Sequence, residues 1–171
     1  MNSQINLIVY HMKEDDPKKC SAKKLHKFGF VKLETNIRKI PKGAILLNPF
    51  VKKSFSKEDL DTAIKHGIIA VDCSWDNAEY NFDFLDKICT SRALPFVIAV
   101  NPVNYGKPLK LSTLEAFATA LYILDDTERV NEMLNLYKWG PQFLKMNKEP
   151  LKDYRNAKNS KEIVKIMKQY I

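Results

Sequence analysis

The stretch Leu94–Leu124, LPFVIAVNPVNYGKPLKLSTLEAFATALYIL, decides how the rest of the chain is read. Its first seven residues, LPFVIAV (94–100), predict a buried strand. The chain then breaks into a polar loop, Asn101 to Ser112, punctuated by Pro102, Gly106 and Pro108. Ser112-Thr113-Leu114-Glu115 fits a capping box, and the helix it opens carries Leu114, Ala116, Phe117, Ala118, Ala120, Leu121 and Ile123 on several faces. A helix apolar nearly all round must be surrounded. A loop held between two such segments has backbone donors and acceptors that need partners. Two solutions stay open at this stage. Either the loop satisfies itself, or a flat, hydrogen-bonding ligand such as adenine does; the free N–H groups at the helix start also suit a carboxylate.

Working outward, QINLIVYHM (4–12), GAILLNP (43–49) and IIAVDCSW (68–75) predict three further strands, the second stopped by Pro49. A turn at Asp16-Pro17 leads to a short basic helix from about Ser21. Ser56-Lys57-Glu58-Asp59 predicts a capped helix ending near Gly67, and residues 77–90 an amphipathic helix with Phe82, Leu85 and Ile88 on one face. From Thr113 onward the chain reads as helix. Apolar strands alternating with helices argue for an α/β fold with a mostly parallel sheet. Ligands of such sheets bind beyond the C-terminal strand ends. That rule singles out the loops after Tyr10, Leu47, Val71 and Val100, which hold Asp16, Pro17 and Ser21; Asn48 and Pro49; Asp72, Ser74 and Trp75; and Asn101 to Ser112.

The chain has 171 residues, the size of one domain, with 45% hydrophobic residues to build a core. Five glycines form no G-x-G-x-x-G and no P-loop, which disfavours a dinucleotide fold or an NTPase. His11, His26 and His66 lack ligand spacing and are expected at the surface or in packing, so no metal is predicted. Cys20, Cys73 and Cys89 are scattered, as in a reducing cytoplasm, and Cys73 is expected as a small core residue. MNSQINLIVYHMK shows neither a basic n-region nor a cleavage site, and no apolar run is long enough for a bilayer. The formal charge is +8, unevenly spread: residues 1–40 carry nine Lys/Arg against four Asp/Glu, residues 61–100 three against six. A basic N-terminal third suggests a polyanion such as RNA, against the alternative of a solvated Lys-rich surface.

DPKKCSAKKL (16–25), LLNP (46–49), VDCSW (71–75), the quoted stretch through Ile123, and YKWGPQFLKMNKEPLKDY (137–154) together resemble the small-subunit ribosomal RNA aminocarboxypropyltransferases. The resemblance covers nearly the whole chain in order; VDCSW and NPVNYG-x-P-x-x-LS are its specific motifs, and Ala22 stands where Gly or a similarly small residue is expected. It implies an S-adenosylmethionine-dependent enzyme with an α/β part over 1–92 and a SPOUT-like part over 93–171. That second part has a trefoil knot and a helical tail, the whole forming one compact globular unit. The implied reaction moves the 3-amino-3-carboxypropyl group to N3 of a modified pseudouridine or uridine in small-subunit rRNA, releasing methylthioadenosine. The alternatives are a SPOUT-type RNA methyltransferase and a non-catalytic ribosome-assembly protein.

The resemblance also implies a site. Trp75 and Ala78 would enclose the donor methyl, Trp75 offering a π face to the sulfonium. Leu47, Pro49, Leu94, Leu111 and Ala116 would flank the adenine, and Val71 would meet the ribose through its backbone. Ser21 and Thr113 would bind the methionine carboxylate. Asp72 is the expected catalytic group, accepting the N3 proton or holding the donor ammonium. Asn101 and Tyr105 are expected to shape the loop. Lys18, Lys19, Lys23, Lys24 and Lys27 would grip small-subunit rRNA or a pre-ribosomal particle, with Arg92, Lys107 and Lys110 extending the surface. A cytoplasmic monomer is expected, with no membrane partner.

Overall fold

The computed structural model describes residues 4–11, 21–72 and 78–171, the last of these by backbone alone over 78–81. The chain forms two compact units. The first, Met1–Lys53 with Asp59–Ala93, is a parallel α/β unit. The second, Ser54–Glu58 with Leu94–Ile171, is helical.

The sheet unit contains β1 (Leu7–His11), α1 (Ser21–Lys27), β2 (Lys32–Glu34), β3 (Ile45–Leu47), α2 (Leu60–His66), β4 (Ile68–Asp72), α3 (Ala78–Asp86) and β5 (Thr90–Arg92). All paired strands are parallel, in the order β2-β1-β4-β3-β5. Ile8, Leu46 and Ile69 from three strands meet Phe82 and Leu85 of α3, with Ile40 and Ala44, in one core cluster; Tyr10, Val71 and Ile88 pack against it. The apolar face predicted for residues 77–90 is therefore the face that covers the sheet. Each fully buried Leu or Ile here contributes about 1.5–3 kcal/mol.

The topology fixes a crevice. From β1 the chain passes to β2 on one side, whereas from β4 it passes through α3 to β5 on the other. The reversal falls between β1 and β4, which pair along their whole length from Leu7 opposite Ile68 to His11 opposite Asp72. Such a switch point is where open parallel sheets receive ligands.

The helical unit contains α4 (Thr113–Ile123), α5 (Thr127–Leu134), α6 (Gly140–Met146), α7 (Lys148–Asn156) and α8 (Ser160–Met167). As expected, α4 is almost wholly enclosed: eight of its eleven residues are buried, the exceptions being Thr113, Ala116 and Tyr122. Gly140 opens α6 so close to α5 that a Cβ on it would lie 1.8 Å from the carbonyl oxygen of Leu134. Backbone must move to admit it. Gly140→Ala is expected to cost about 3 kcal/mol or more. That corresponds to a melting temperature lower by roughly 6–12 °C in differential scanning calorimetry. A shift below about 2 °C would show that the approach is not tight.

Two sequence expectations are corrected. LPFVIAV is not a strand of the sheet. Its extended backbone belongs to the helical unit, where Val97, Ala99 and Val100 are buried. It pairs by backbone only with its own loop, Ala99 N donating to Lys107 O at 3.0 Å and Leu109 N to Val97 O at 2.9 Å around an antiparallel bridge of Ile98 and Pro108. Side chains supply further partners: Tyr154 Oη donates to Phe96 O at 2.7 Å, Asn147 bonds both Ile98 N (2.7 Å) and Ile98 O (2.9 Å), and Glu115 accepts from Val100 N at 2.7 Å. The fifth strand is instead Thr90–Arg92. Nor does Ser56 cap the next helix. A 3-10 turn over Lys57–Asp59 comes first, α2 starts at Leu60, and the Asp59 carboxylate turns to Arg92 Nε at 3.0 Å.

Candidate functional site

Each strand of the sheet unit delivers a polar group at or just beyond its C-terminal end. Three of the five are bound up with neighbouring groups of the same unit. Glu34 of β2 accepts from the N–H groups of Thr35 and Asn36 at 3.1 and 3.3 Å. Asn48, just after β3, donates its N–H to Arg92 O at 2.8 Å and accepts from Phe50 N at 2.9 Å. Arg92 of β5 is half-buried and its Nε donates to Asp59 Oδ1 at 3.0 Å.

The remaining pair stands at the switch point. Parallel register sets His11 beside Asp72, and His11 Nδ1 lies 2.9 Å from Asp72 Oδ2. His11 is 7% exposed and Asp72 8%. A carboxylate so buried is costly unless paired. Because an ionised carboxylate only accepts, the imidazole supplies the proton of this bond. The sequence pointed to Asp72 but assigned His11 to surface or packing; its place as the carboxylate's partner follows from strand register.

Around this pair the sheet unit places Ser21, buried, as the first residue of α1, and Leu47, buried, as the last of β3. Pro49 is exposed, and Val71, directly before Asp72, is half-buried. Ala78 is the first residue of α3, described by its backbone only. Trp75, Lys18 and Lys19 lie outside the described residues. On α1, Lys23 and Lys27 are exposed and Lys24 half-buried. Phe28 follows them, 54% exposed, with Lys27 Nζ 5.9 Å from its ring centroid. Cations beside an exposed aromatic form a surface suited to single-stranded nucleic acid. Cys89 offers no nucleophile: burial, reinforced by Asp86, pushes its thiol up to about 11.

In the helical unit the loop satisfies itself. Glu115 is fully buried. Its Oε1 accepts from Ser112 N at 3.0 Å and Asn101 Nδ2 at 2.6 Å, and its Oε2 from Val100 N at 2.7 Å. Ser112 Oγ accepts from Glu115 N in return, completing the predicted capping box. Asn101 also donates to Lys110 O and accepts from Asn104 N, so it holds the loop as expected. Tyr105 does not: it is 60% exposed, because backbone bonds from Ala99 to Lys107 and from Gly106 to Ala99 close the turn without it. Lys107 and Lys110 are exposed. Leu94, Leu111, Thr113 and Ala116 are half-buried. Thr113 and Ala116 are two of the three openings in α4, and their i, i+3 spacing puts them on one face.

Among the described residues no group of His, Cys, Asp or Glu has the geometry of a metal site, and no helix is long and apolar enough to cross a membrane.

Residues 45–171 match the family model "Ribosome biogenesis protein, C-terminal". Residues 5–39 match a model for a possible Fer4-like domain in the RNase L inhibitor; this segment has a single cysteine, Cys20, too few for a four-thiolate cluster. The 16S rRNA aminocarboxypropyltransferase of Methanopyrus kandleri is 46% identical over 96% of this chain and 98% of its own. That of Methanococcoides burtonii is 43% identical over 100% and 98%. Among solved structures, the SAM-dependent rRNA:acp-transferase Tsr3 from Vulcanisaeta distributa superposes with a TM-score of 0.87, at 37% identity, over 97% of this chain and 95% of that one.

Proposed function

The chain belongs to the 16S rRNA aminocarboxypropyltransferase family, and on that premise we propose that it transfers the 3-amino-3-carboxypropyl group of S-adenosylmethionine to N3 of a pseudouridine-type base in small-subunit rRNA. The observation that carries the reading is the buried His11–Asp72 pair at the switch point of the sheet. There a carboxylate is held ready for an N–H proton or an ammonium.

The donor supplies an electrophilic carbon on a sulfonium. In the step, the bond from N3 to that γ-carbon forms as the carbon–sulfur bond breaks. The N3 proton passes to a base, and methylthioadenosine leaves. Three carbons flank the sulfur, so the product depends on which one faces the nucleophile in line. The protein's task is therefore positional. Trp75 and Ala78 enclose the methyl, leaving the amino-acid arm toward the base. Asp72 takes the proton, oriented by His11. In the sheet unit, Leu47 and Pro49 flank the adenine, Val71 meets the ribose and Ser21 the carboxylate. In the helical unit, the half-buried Leu94, Leu111 and Ala116 provide apolar surface for the adenine, and Thr113 at the helix start a further hydroxyl for the carboxylate. Lys18, Lys19, Lys23, Lys24 and Lys27 hold phosphates, and the target base is unpaired or flipped. The proposal carries with it a SPOUT-like trefoil knot in residues 93–171 and a cytoplasmic monomer.

Incubating the enzyme and small-subunit rRNA with donor labelled in the carboxyl or in the methyl group tests the reaction. Carboxyl label in RNA, with none from the methyl, is expected. Methyl label alone would make the chain a methyltransferase. Neither label, with RNA still bound, would make it an assembly factor.

A further inference from the structure

The third opening of α4, Tyr122, borders a cavity of about 240 Å³, lined also by Leu144 and Lys145 of α6 and Lys148 and Leu151 of α7. None of these residues belongs to the proposed donor site. Leu144, Leu151 and the Tyr122 ring give it an apolar and aromatic lining. Lys145 and Lys148 add two cations to the lining; the Arg155 guanidinium, paired with Asp125 at 3.5 Å, lies 4.9 Å from the Tyr122 ring centroid.

The positive charge of this unit is concentrated in its C-terminal part. Residues 94–136 carry three Lys/Arg against five Asp/Glu; residues 137–171 carry nine against three, a surplus of six out of the chain's +8. Of those three acids, Asp153 bonds Tyr170 Oη, and Glu162 accepts from Lys158 N within the α8 cap. Lys145, Lys148, Lys152, Lys158, Lys161, Lys165 and Lys168 are all exposed. Two lysines at an apolar-aromatic hollow, on a tail with a surplus of six positive charges, complement a phosphate chain that carries a flat, unpaired base.

We propose that this cavity is a second RNA site, taking one unpaired nucleotide of the rRNA substrate, its base against Tyr122, Leu144 and Leu151 and its phosphate on Lys145 and Lys148. The inference rests on the reading of the chain as an rRNA-modifying enzyme. It assigns to the helical tail the anchoring of RNA away from the reacting base.

Fluorescence anisotropy of the full chain with a labelled small-subunit rRNA fragment, across a salt series, tests it. The double variant Lys145→Ala/Lys148→Ala is expected to bind roughly 5–20-fold more weakly, with the log–log salt slope reduced by about 1–2. Tyr122→Leu and Leu144→Ala are expected to weaken binding about 5-fold or more with the slope unchanged, since stacking releases no counterion. Donor affinity by calorimetry and the transfer rate at saturating RNA stay at wild-type values in all three. Wild-type RNA affinity in the lysine variant overturns the site. Weakening by the lysine changes alone, with Tyr122→Leu and Leu144→Ala folded and binding normally, overturns the nucleotide pocket. Loss of polyglutamate binding with RNA binding intact reassigns the cavity to an acidic protein partner and also overturns it. If the wild type binds the donor but neither binds nor labels rRNA, the proposed function itself fails.

Discussion

Asp72→Asn is expected to lower the single-turnover rate of aminocarboxypropyl transfer by about 10²–10⁴-fold, the usual worth of a positioned proton acceptor. The Asn side chain keeps the shape and can still accept from His11 Nδ1, but the bond loses its charge and the group can no longer take a proton. The secondary structure survives, as circular dichroism will show. Calorimetry with the donor separates the two tasks open to this carboxylate. If it only holds the donor ammonium, affinity falls and the rate at saturation is preserved. A rate within threefold of wild type, with affinity intact, sinks the assignment. His11→Ala should reproduce part of the loss, and His11→Asn, which restores an N–H donor, should recover part of it.

Glu115→Ala is the substitution with the largest expected effect on stability. It strips the acceptor from two backbone N–H groups, Val100 and Ser112, and one amide N–H of Asn101, all around a fully buried position. A buried donor left unsatisfied costs about 1–3 kcal/mol. Asn101 keeps its bond to Lys110 O, so the expected total is roughly 3–5 kcal/mol. That is a large share of the ~5–15 kcal/mol that holds a domain together. Urea denaturation measures it directly. Glu115→Gln should lose about half as much: its oxygen can serve Ser112 and Asn101, but its NH₂ then opposes Val100 N–H. A loss below about 1 kcal/mol for the alanine variant would mean that water replaces the carboxylate and that the loop is not sealed.

Much of this was legible in the chain. The apolar runs of β3 and β4, the face of α3 and the enclosed α4 follow from period and composition. The Ser112 capping box is correct to the residue, because both of its bonds are local. What escaped were features decided at a distance. β2 (Lys32-Leu33-Glu34) and β5 (Thr90-Ser91-Arg92) are short, polar sheet edges that leave no hydrophobic signature. LPFVIAV stays out of the sheet because an apolar run reports burial, not which ladder it joins; its partners are the backbone of its own loop and side chains as far away as Asn147 and Tyr154. At Ser56 the same motif that works at Ser112 fails, since Asp59 finds a cation 33 residues on. His11 became a candidate only when parallel register placed it across from Asp72. A single sequence records neither register nor the end of a chain of contacts.

The grip of Asn147 on Ile98 bears on how this protein can drift. One carboxamide, 1% exposed, reads the donor and the acceptor of Ile98's main chain and ignores its side chain. Position 98 is thus free to wander among aliphatic residues, since any of them offers the same amide. Position 147 has no such latitude: Asp would turn an oxygen toward a carbonyl, and Ala would abandon both groups. The half of this contact that looks ordinary in the sequence, one polar residue among several at a helix junction, is the half that evolution must keep.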